Sequence, residues 1–528
     1  MTKSTRLVVL SVIVLGATAA VFFGATVAQS QTATKGGAAT KTLSSATGCT
    51  TSHGKMTYGI AGAGITALDP NTLSFAGQAP LQTLLYDGLT EYDKKMQPVA
   101  DLATSWTSST DLMHWTFKLR RNVHYADGRL FTSADAVANI LRVLDPKVAS
   151  QAQSNVADIR SVRANGKYGL VIKLGHPSAL LTTALIDVKM SDTTNLGNLN
   201  TTGNGTGPYK VANFVPGQNL TLVPNTHYWG GKACIGEIDV LREPDPTSMV
   251  TDFKSGKLDM VWQVPPVSIP AVTSNNSFFL VPSGVSGAHV WEVDTTSAPF
   301  NDVRARQALS YAIDRRAMVQ TAFFGLGTAS YANDILSSNS AFYDKALKPY
   351  TFDLTKAKQL FDAAGVKPGT TFTFWALAGR RDEWITMAQI LQQDLQKIGL
   401  NLTIQRSDVS TWLAKFYPAG KSYPNTIIAN YFSLPPNPSY AFSQVQFGSC
   451  ECNWKDSTFE SLAQKAIGTQ DPAARAKIYN QMQVIEAQQS PVMVIAHQTN
   501  IVAVRKGITG AWEDAQGNVH LESARVAS

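Results

Sequence analysis

Gly203, Gly205 and Gly207 alternate in TTGNGTGPYKV, Thr201 to Val211, a spacing that could cradle a phosphate. Such a cradle works when the last glycine opens a helix, whose stacked amides hold the anion. Here Pro208 and Tyr209 follow, and then KVANF and NLTLVPN alternate apolar and polar residues as strands do. No complete Gly-x-x-x-x-Gly-Lys-Ser/Thr pattern occurs, so the stretch reads as a turn into a hairpin, its glycines supplying positive φ. Other reactive groupings fail in the same way. SGVSG misses the spacing of a nucleophile elbow, and none of the eight histidines, His114, His124, His227 and His497 among them, pairs at ligand spacing on a helix. Cys450-Glu451-Cys452 is too tight for half a zinc site. No catalytic residue, cofactor or free metal ion is expected.

The chain carries a formal charge of +7, but Lys3, Arg6, Lys35 and Lys41 precede residue 55, where there is no acid, and setting them aside leaves +3. Charged residues make up 16% of the chain, below the ~25% usual for soluble domains, so no nucleic-acid partner is expected. Lys3 and Arg6 stand before an uncharged run from Leu7 to Val27, and Ala28-Gln29-Ser30 closes it with small residues, the order of a secretory signal. Its 21 residues would also span a bilayer at ~20 per crossing, so residues 1–28 read as a cleaved signal or a retained anchor. Residues 29–54 are rich in Ser, Thr, Ala and Gly, lack aromatics and acids, and read as a flexible linker. Export favours disulfides, and Cys49–Cys234 with Cys450–Cys452 is the expected pairing.

From residue 56 strands alternate with helices. KMTYGIAG and HWTFKLR read as strands. FTSADAVANILRVLDP reads as a helix with a Thr132/Asp135 capping box and a stripe of Val137, Ile140, Leu141 and Leu144. NDVRARQALSYAIDRRAMVQ reads as one helix capped by Asp302, and DLTKAKQLFDAAGV as another capped by Asp353 and stopped by Gly365. TFTFWAL, EWITMAQILQQDLQKIG and LNLTIQ form a strand–helix–strand unit, which demands a parallel pair. DPAARAKIYNQMQVIEAQQ, with Pro472 in its first turn, leads into the strand PVMVIA. The class is α/β.

Several stretches together resemble one family: LLYDGLTEYDKKMQPVADLATSWTSSTDLMHWTFKLRRNVHYADGRLFTSADAV, GTGPYKV, PNTHYWGG, SGKLDM and PFNDVRARQALSYAIDR. They are similar to the family 5 extracellular solute-binding proteins of ABC importers, which include oligopeptide-, dipeptide- and nickel-binding proteins. The resemblance implies a two-lobed, type II periplasmic-binding-protein-like fold with an extra subdomain in the first lobe. On that frame lobe I takes residues 55–85, 210–295 and 498–528, its inserted subdomain 86–209, and lobe II 296–497. It also implies a monomer that captures a small solute or short peptide-like ligand and delivers it to the transmembrane subunits of a permease. An exported hydrolase, or a binder of sugars, opine-like compounds or metal chelates that feeds a sensor, remains the alternative.

The resemblance carries site residues as well. In peptide-binding members an aspartate near DYxDP holds the ligand amine; in ANYFSLPPNPSYAF that position falls on Ser433 or Leu434, with Asn437 in the aligned x-D-P. The amine anchor is therefore missing, and a ligand lacking a free amino terminus is expected. Losing a charge-assisted bond forfeits ~1.5–3 kcal/mol. Dipeptide binders grip the ligand carboxylate with an arginine before a second-lobe helix, where WALAGRRDEW offers Arg380 and Arg381, whose plain alternative is a surface pair with Asp382 or Glu383. Trp412 and Tyr431 match cleft aromatics, Phe432 and Ser433 adjoin them, and Trp375, Trp384 and Trp454 read as core. In the first lobe, Ile65, Thr66 and Ala67 of AGAGITALDP correspond to a ligand-facing loop, with Asp69-Pro70 as a turn.

Overall fold

The computed structural model describes residues 49, 51–61, 64–71, 81–273, 278–338, 340, 342–377, 381–416, 421–434, 438–446, 450–514 and 517–526. The leader and nearly all of the linker lie outside the described residues. Among the described residues no helix is long and apolar enough to cross a membrane.

One 11-stranded sheet organises the molecule. Its strands in chain order are β1 (His53–Ala61), β2 (Tyr209–Val215), β3 (Asn219–Pro224), β4 (Ile235–Glu243), β5 (Met260–Val261), β6 (Phe278–Glu292), β7 (Thr328–Ala329), β8 (Thr371–Leu377), β9 (Asn401–Ser407), β10 (Thr426–Leu434) and β11 (Val492–Arg505). Across the sheet they run β9-β8-β10-β6-β11-β5-β1-β4-β3-β2, with β7 beside β11. The sheet has two halves. In one, β1 lies parallel to both β4 and β5; in the other, β8 lies parallel to both β9 and β10. Two long antiparallel strands belong to both. β11 pairs with β5 through Ala503 and Val504, β6 pairs with β10 from Ser286 to Glu292, and the two pair with each other from Phe278/Arg505 to Glu292/Val492. Their ladder is irregular between Pro282 and Ser286 and between His289 and Val290, the local weakening that lets a strand bend.

Each half buries its own core. Tyr58, Ile60, Leu222, Ile238 and Val504 pack in the first; Trp291, Leu309, Phe372, Phe374, Leu391 and Ile495 pack in the second. A four-stranded sheet, built from Ala103–Ser108, His114–Leu119, Ile159–Ala164 and Gly169–Leu174, has a third core of Phe117, Phe131, Ile140 and Ile172. Arg142 in its helix Ser133–Leu144 grips both carboxylate oxygens of Asp69, which also accepts from Asn71 N at 3.0 Å. Asp69 thus forms the expected turn and also ties the smaller sheet to the loop after β1.

Local chemistry explains most boundaries. The Thr132/Asp135 capping box is present, although the helix buries Ala136, Ile140 and Val143 while Leu141 is 51% exposed, so the apolar stripe runs one residue off the expected line. The run from Asp302 is two helices, Val303–Ala312 and Arg315–Ala322, because Ile313 is extended and Asp314 accepts from Ala317 N, capping a fresh start. Both disulfides join as expected. Cys49–Cys234 ties the leading ends of neighbouring β1 and β4 across a sequence separation of 185, a closure worth ~5 kcal/mol in the chain-entropy account.

The glycine run resolves as a turn into the β2–β3 hairpin, though positive φ explains only part of it. Gly203 ends the helix Leu196–Thr202 at φ 55°. Gly205 and Gly207 instead serve close approach: a Cβ on Gly205 would stand 2.1 Å from Leu85 O, and one on Gly207 would stand 2.6 Å from Leu85 C.

Candidate functional site

In open α/β sheets the crevice beyond the carboxyl ends of the parallel strands is where ligands collect. β1 leads to the Gly64–Asp69 loop, β8 to Arg381, and β10 ends in Tyr431–Leu434.

Strand alternation aims Tyr431 and Phe432 to opposite faces. Tyr431 lies opposite His289 in the β6–β10 ladder, and its hydroxyl reaches the Gly287 backbone. The ring lies so close over Gly287 that a Cβ there would fall 2.0 Å from both Cζ and Oη. The Arg381 guanidinium stands over the ring, 4.2 Å from its centroid. Burial pushes the Tyr431 hydroxyl up to about 12, against the pull of Arg381, so it remains a neutral donor.

Beneath this pair lies His289, fully buried. Its Nδ1 accepts from Trp384 Nε1 at 2.9 Å, and since an indole only donates, Nε2 carries the proton and donates to Gln498 Oε1 at 2.8 Å. Burial, reinforced by Arg381, lowers His289 to about 3, so the imidazole is neutral at physiological pH. Trp384 begins the second-half helix Glu383–Lys397, His289 is on β6 and Gln498 on β11. One uncharged chain of hydrogen bonds therefore joins that helix to both crossing strands.

Arg381 also faces Glu383, with Nη1 3.5 Å from Oε1 and side-chain exposures of 14% and 8%. Burial lifts the Glu383 carboxyl and Arg381 pulls it down, burial being the larger effect. At that length the contact is weak. Arg381 thus has Glu383 as a weak, buried neighbour rather than a surface partner, while its guanidinium lies across Tyr431.

The other expected residues are dispersed. Trp412 is buried with Phe416, 5.3 Å away, and Tyr423 in a separate aromatic cluster that Trp375 edges. Phe432 is 4% exposed and packs in a core with Phe442 and Val494, on the face opposite Tyr431. Leu434 joins that core, and the backbone of Ser433 pairs with Gly287. Ile65 is buried at 5% exposure and packs in the first core, Thr66 is exposed and Ala67 half-buried. Arg380, Asn437 and the Ser433 side chain lie outside the described residues. Trp384, read as core, is buried yet bonds to His289.

Sequence reading missed the roles of His289 and Gln498, of His497, whose Nε2 donates to Ile335 O at 3.0 Å, and of Glu513, which lies buried beside Trp262. A cavity of about 500 Å³ lined by Thr295, Arg306, Trp454 and Lys455 lies past the end of β6, away from the Arg381–Tyr431 pair. Among the described residues no three His, Cys, Asp or Glu side chains are placed to hold a metal.

Comparison with known proteins gives one consistent result. The model of the bacterial extracellular solute-binding proteins, family 5 middle region, matches residues 97–450. The dipeptide-binding protein of Escherichia coli K12 is 24% identical over 484 residues, covering 84% of this chain and 89% of that protein. The structure of the periplasmic binding protein DppA from Helicobacter pylori with the peptide STSA superposes with a TM-score of 0.80 at 19% identity, covering 90% and 98% of the two chains. A dipeptide-binding protein from Pseudoalteromonas sp. SM9913 in complex with Met-Leu gives 0.80 at 21%, covering 90% and 100%. These matches establish the two-lobed, type II fold.

Proposed function

The chain belongs to the bacterial extracellular solute-binding proteins of family 5 and acts as the binding component of an ABC importer; we propose that its cargo is a small, peptide-like organic anion gripped between the lobes at Arg381 and Tyr431. The observation that carries this reading is the guanidinium laid on a tyrosine that itself rests on a crossing strand. Arg381 comes from the second lobe, while Gly287 belongs to a strand shared by both lobes. An anion drawn to Arg381 therefore meets the elements that must bend for the lobes to shut. Closure is then favoured by whatever free energy the ligand gains only in the shut form.

The lobe boundaries are read as residues 55–85, 210–295 and 498–528 for lobe I, 86–209 for its inserted subdomain and 296–497 for lobe II. The separate cores support this division. The protein is read as a monomer that binds no nucleic acid and transforms nothing. The relatives named for dipeptides and crystallised with STSA or Met-Leu support a peptide-like cargo. The basic-then-apolar start, Lys3 to Val27, supports export with cleavage or tethering.

The test begins with native mass spectrometry of protein purified from its own host, which identifies retained cargo, followed by calorimetric titration of that cargo. Arg381→Ala is expected to weaken binding by tenfold to over a hundredfold, the loss of one charge-assisted contact of ~1.5–3 kcal/mol. Unchanged affinity, or a retained compound without an anionic group, overturns the proposal.

A further inference from the structure

We infer that Glu513 is the counter-charge for a protonated nitrogen on the cargo, so that the solute is a zwitterion with its anion on Arg381 and its cation on the opposite lobe. This rests on the Arg381 site being the solute site. It also revises what the missing second-lobe aspartate implies: the amine anchor is relocated to the first lobe.

Position comes first. Trp512–Glu513 packs against crossing strand β6. Glu513 Oε1 accepts from Trp262 Nε1 at 3.2 Å, and Trp262 directly follows β5 at the carboxyl end of the parallel β1–β5 pair. Tyr58 pairs with Met260 of β5 on neighbouring β1, and Tyr431, the ring beneath Arg381, rests on β6 at Gly287. Glu513 and Arg381 thus approach the same crossing strand from opposite lobes.

Second, the carboxylate is unfinished. Glu513 is 2% exposed, and its Oε2 has no hydrogen-bond partner among the described residues; the hydroxyl of Tyr58 is orphaned in the same way. Leaving such an atom unpaired costs ~1–3 kcal/mol. Among the described residues no Lys, Arg or His makes an ion pair with Glu513, and neighbouring Asp514 spends its oxygens on Asn518 and His520. An ammonium entering between Oε2 and the Tyr58 hydroxyl supplies the donors both lack.

Burial lifts the Glu513 carboxyl to about 8, with Asp514 acting in the same sense and Trp262 opposing. Tyr58 and Tyr431 face it uncharged, and both their hydroxyls are raised. At pH 7 the empty site therefore holds a proton on Glu513, which an arriving cation displaces into solvent.

Capture from an equimolar mixture of free dipeptides, Met-Leu among them, and their N-acetyl counterparts tests the idea, with the retained fraction read by mass spectrometry. Wild-type protein is expected to retain free dipeptides at least tenfold over acetylated ones. Glu513→Gln keeps an oxygen for Trp262 and should erase that preference while still retaining the acetylated members, whereas Arg381→Gln loses both kinds. Should Glu513→Gln not fold, calorimetry of the wild type in two buffers of different ionisation heat gives the answer: about one proton released at pH 7 with a free dipeptide and none with its acetyl form. Arg381-dependent capture without preference for the amine, or equal proton release, overturns the role of Glu513 and spares the Arg381 site. No capture of any peptide overturns both.

Discussion

Gly287→Ala is expected to cut cargo affinity by about tenfold to a hundredfold while leaving the fold intact. The added methyl would sit 2.0 Å from Tyr431 Cζ and Oη, so the ring must leave crossing strand β6. Only the far end of a side chain has to move, which is why the melting temperature should barely change. The binding cost is larger because Arg381 loses its platform. Losing the charge-assisted bond that Arg381 makes from that platform forfeits ~1.5–3 kcal/mol, tenfold to over a hundredfold. Isothermal titration with the host-derived cargo measures it. The double variant with Tyr431→Ala adds the decisive comparison: once the ring is gone the methyl clashes with nothing it displaced, so Gly287→Ala should cost little more on that background. Additive losses would show that Gly287 acts through something other than Tyr431.

Gly205→Ala is expected to cost ~3 kcal/mol or more in stability, at the upper end of overpacking. Its Cβ would meet Leu85 O at 2.1 Å and the Tyr86 ring at 2.3 Å, and the first of these is backbone that cannot turn aside. Tyr86 is itself fixed, its hydroxyl donating to Leu68 O at 2.7 Å. Gly197→Ala is the matched control: it lies in the helix Leu196–Thr202 with nothing within 4 Å of the new methyl, and it should be neutral or stabilising by ~0.5–1 kcal/mol. Chemical denaturation of both variants decides. A Gly205→Ala protein as stable as its parent would refute the close-approach reading of the glycine run.

What the sequence revealed and what it withheld follow from range. Strands such as HWTFKLR and TFTFWAL, and caps such as Asp353 and Thr132, are written within a few residues, and the structure has them there. Arg381 and Tyr431 were singled out by the family resemblance alone, Arg381 just beyond the strand TFTFWAL. Phe432, next to Tyr431 in one strand, faces the other way, as alternation requires. The helix break at Asp314 was also local, a second capping aspartate hidden inside an unbroken apolar rhythm.

The rest of the site is written at long range. His289 meets Gln498 across 209 residues, and Trp262 meets Glu513 across 251. A histidine in a strand and a glutamate near the carboxyl terminus carry no motif; they become a hydrogen-bond chain and an unfinished carboxylate only when β6 and β11 cross. Gly287 shows the same effect. In SGVSG it belonged to a failed nucleophile elbow, and its use as the seat of Tyr431 depends on the β6–β10 register.

The central claim is that the two lobes shut over a solute by bending β6 and β11. Small-angle X-ray scattering of cargo-free protein, before and after adding the compound found by native mass spectrometry, tests it most directly. The account predicts a fall in the radius of gyration at saturating compound for the wild type and none for Arg381→Ala at the same concentration. An unchanged radius in the wild type at demonstrated full occupancy would contradict it.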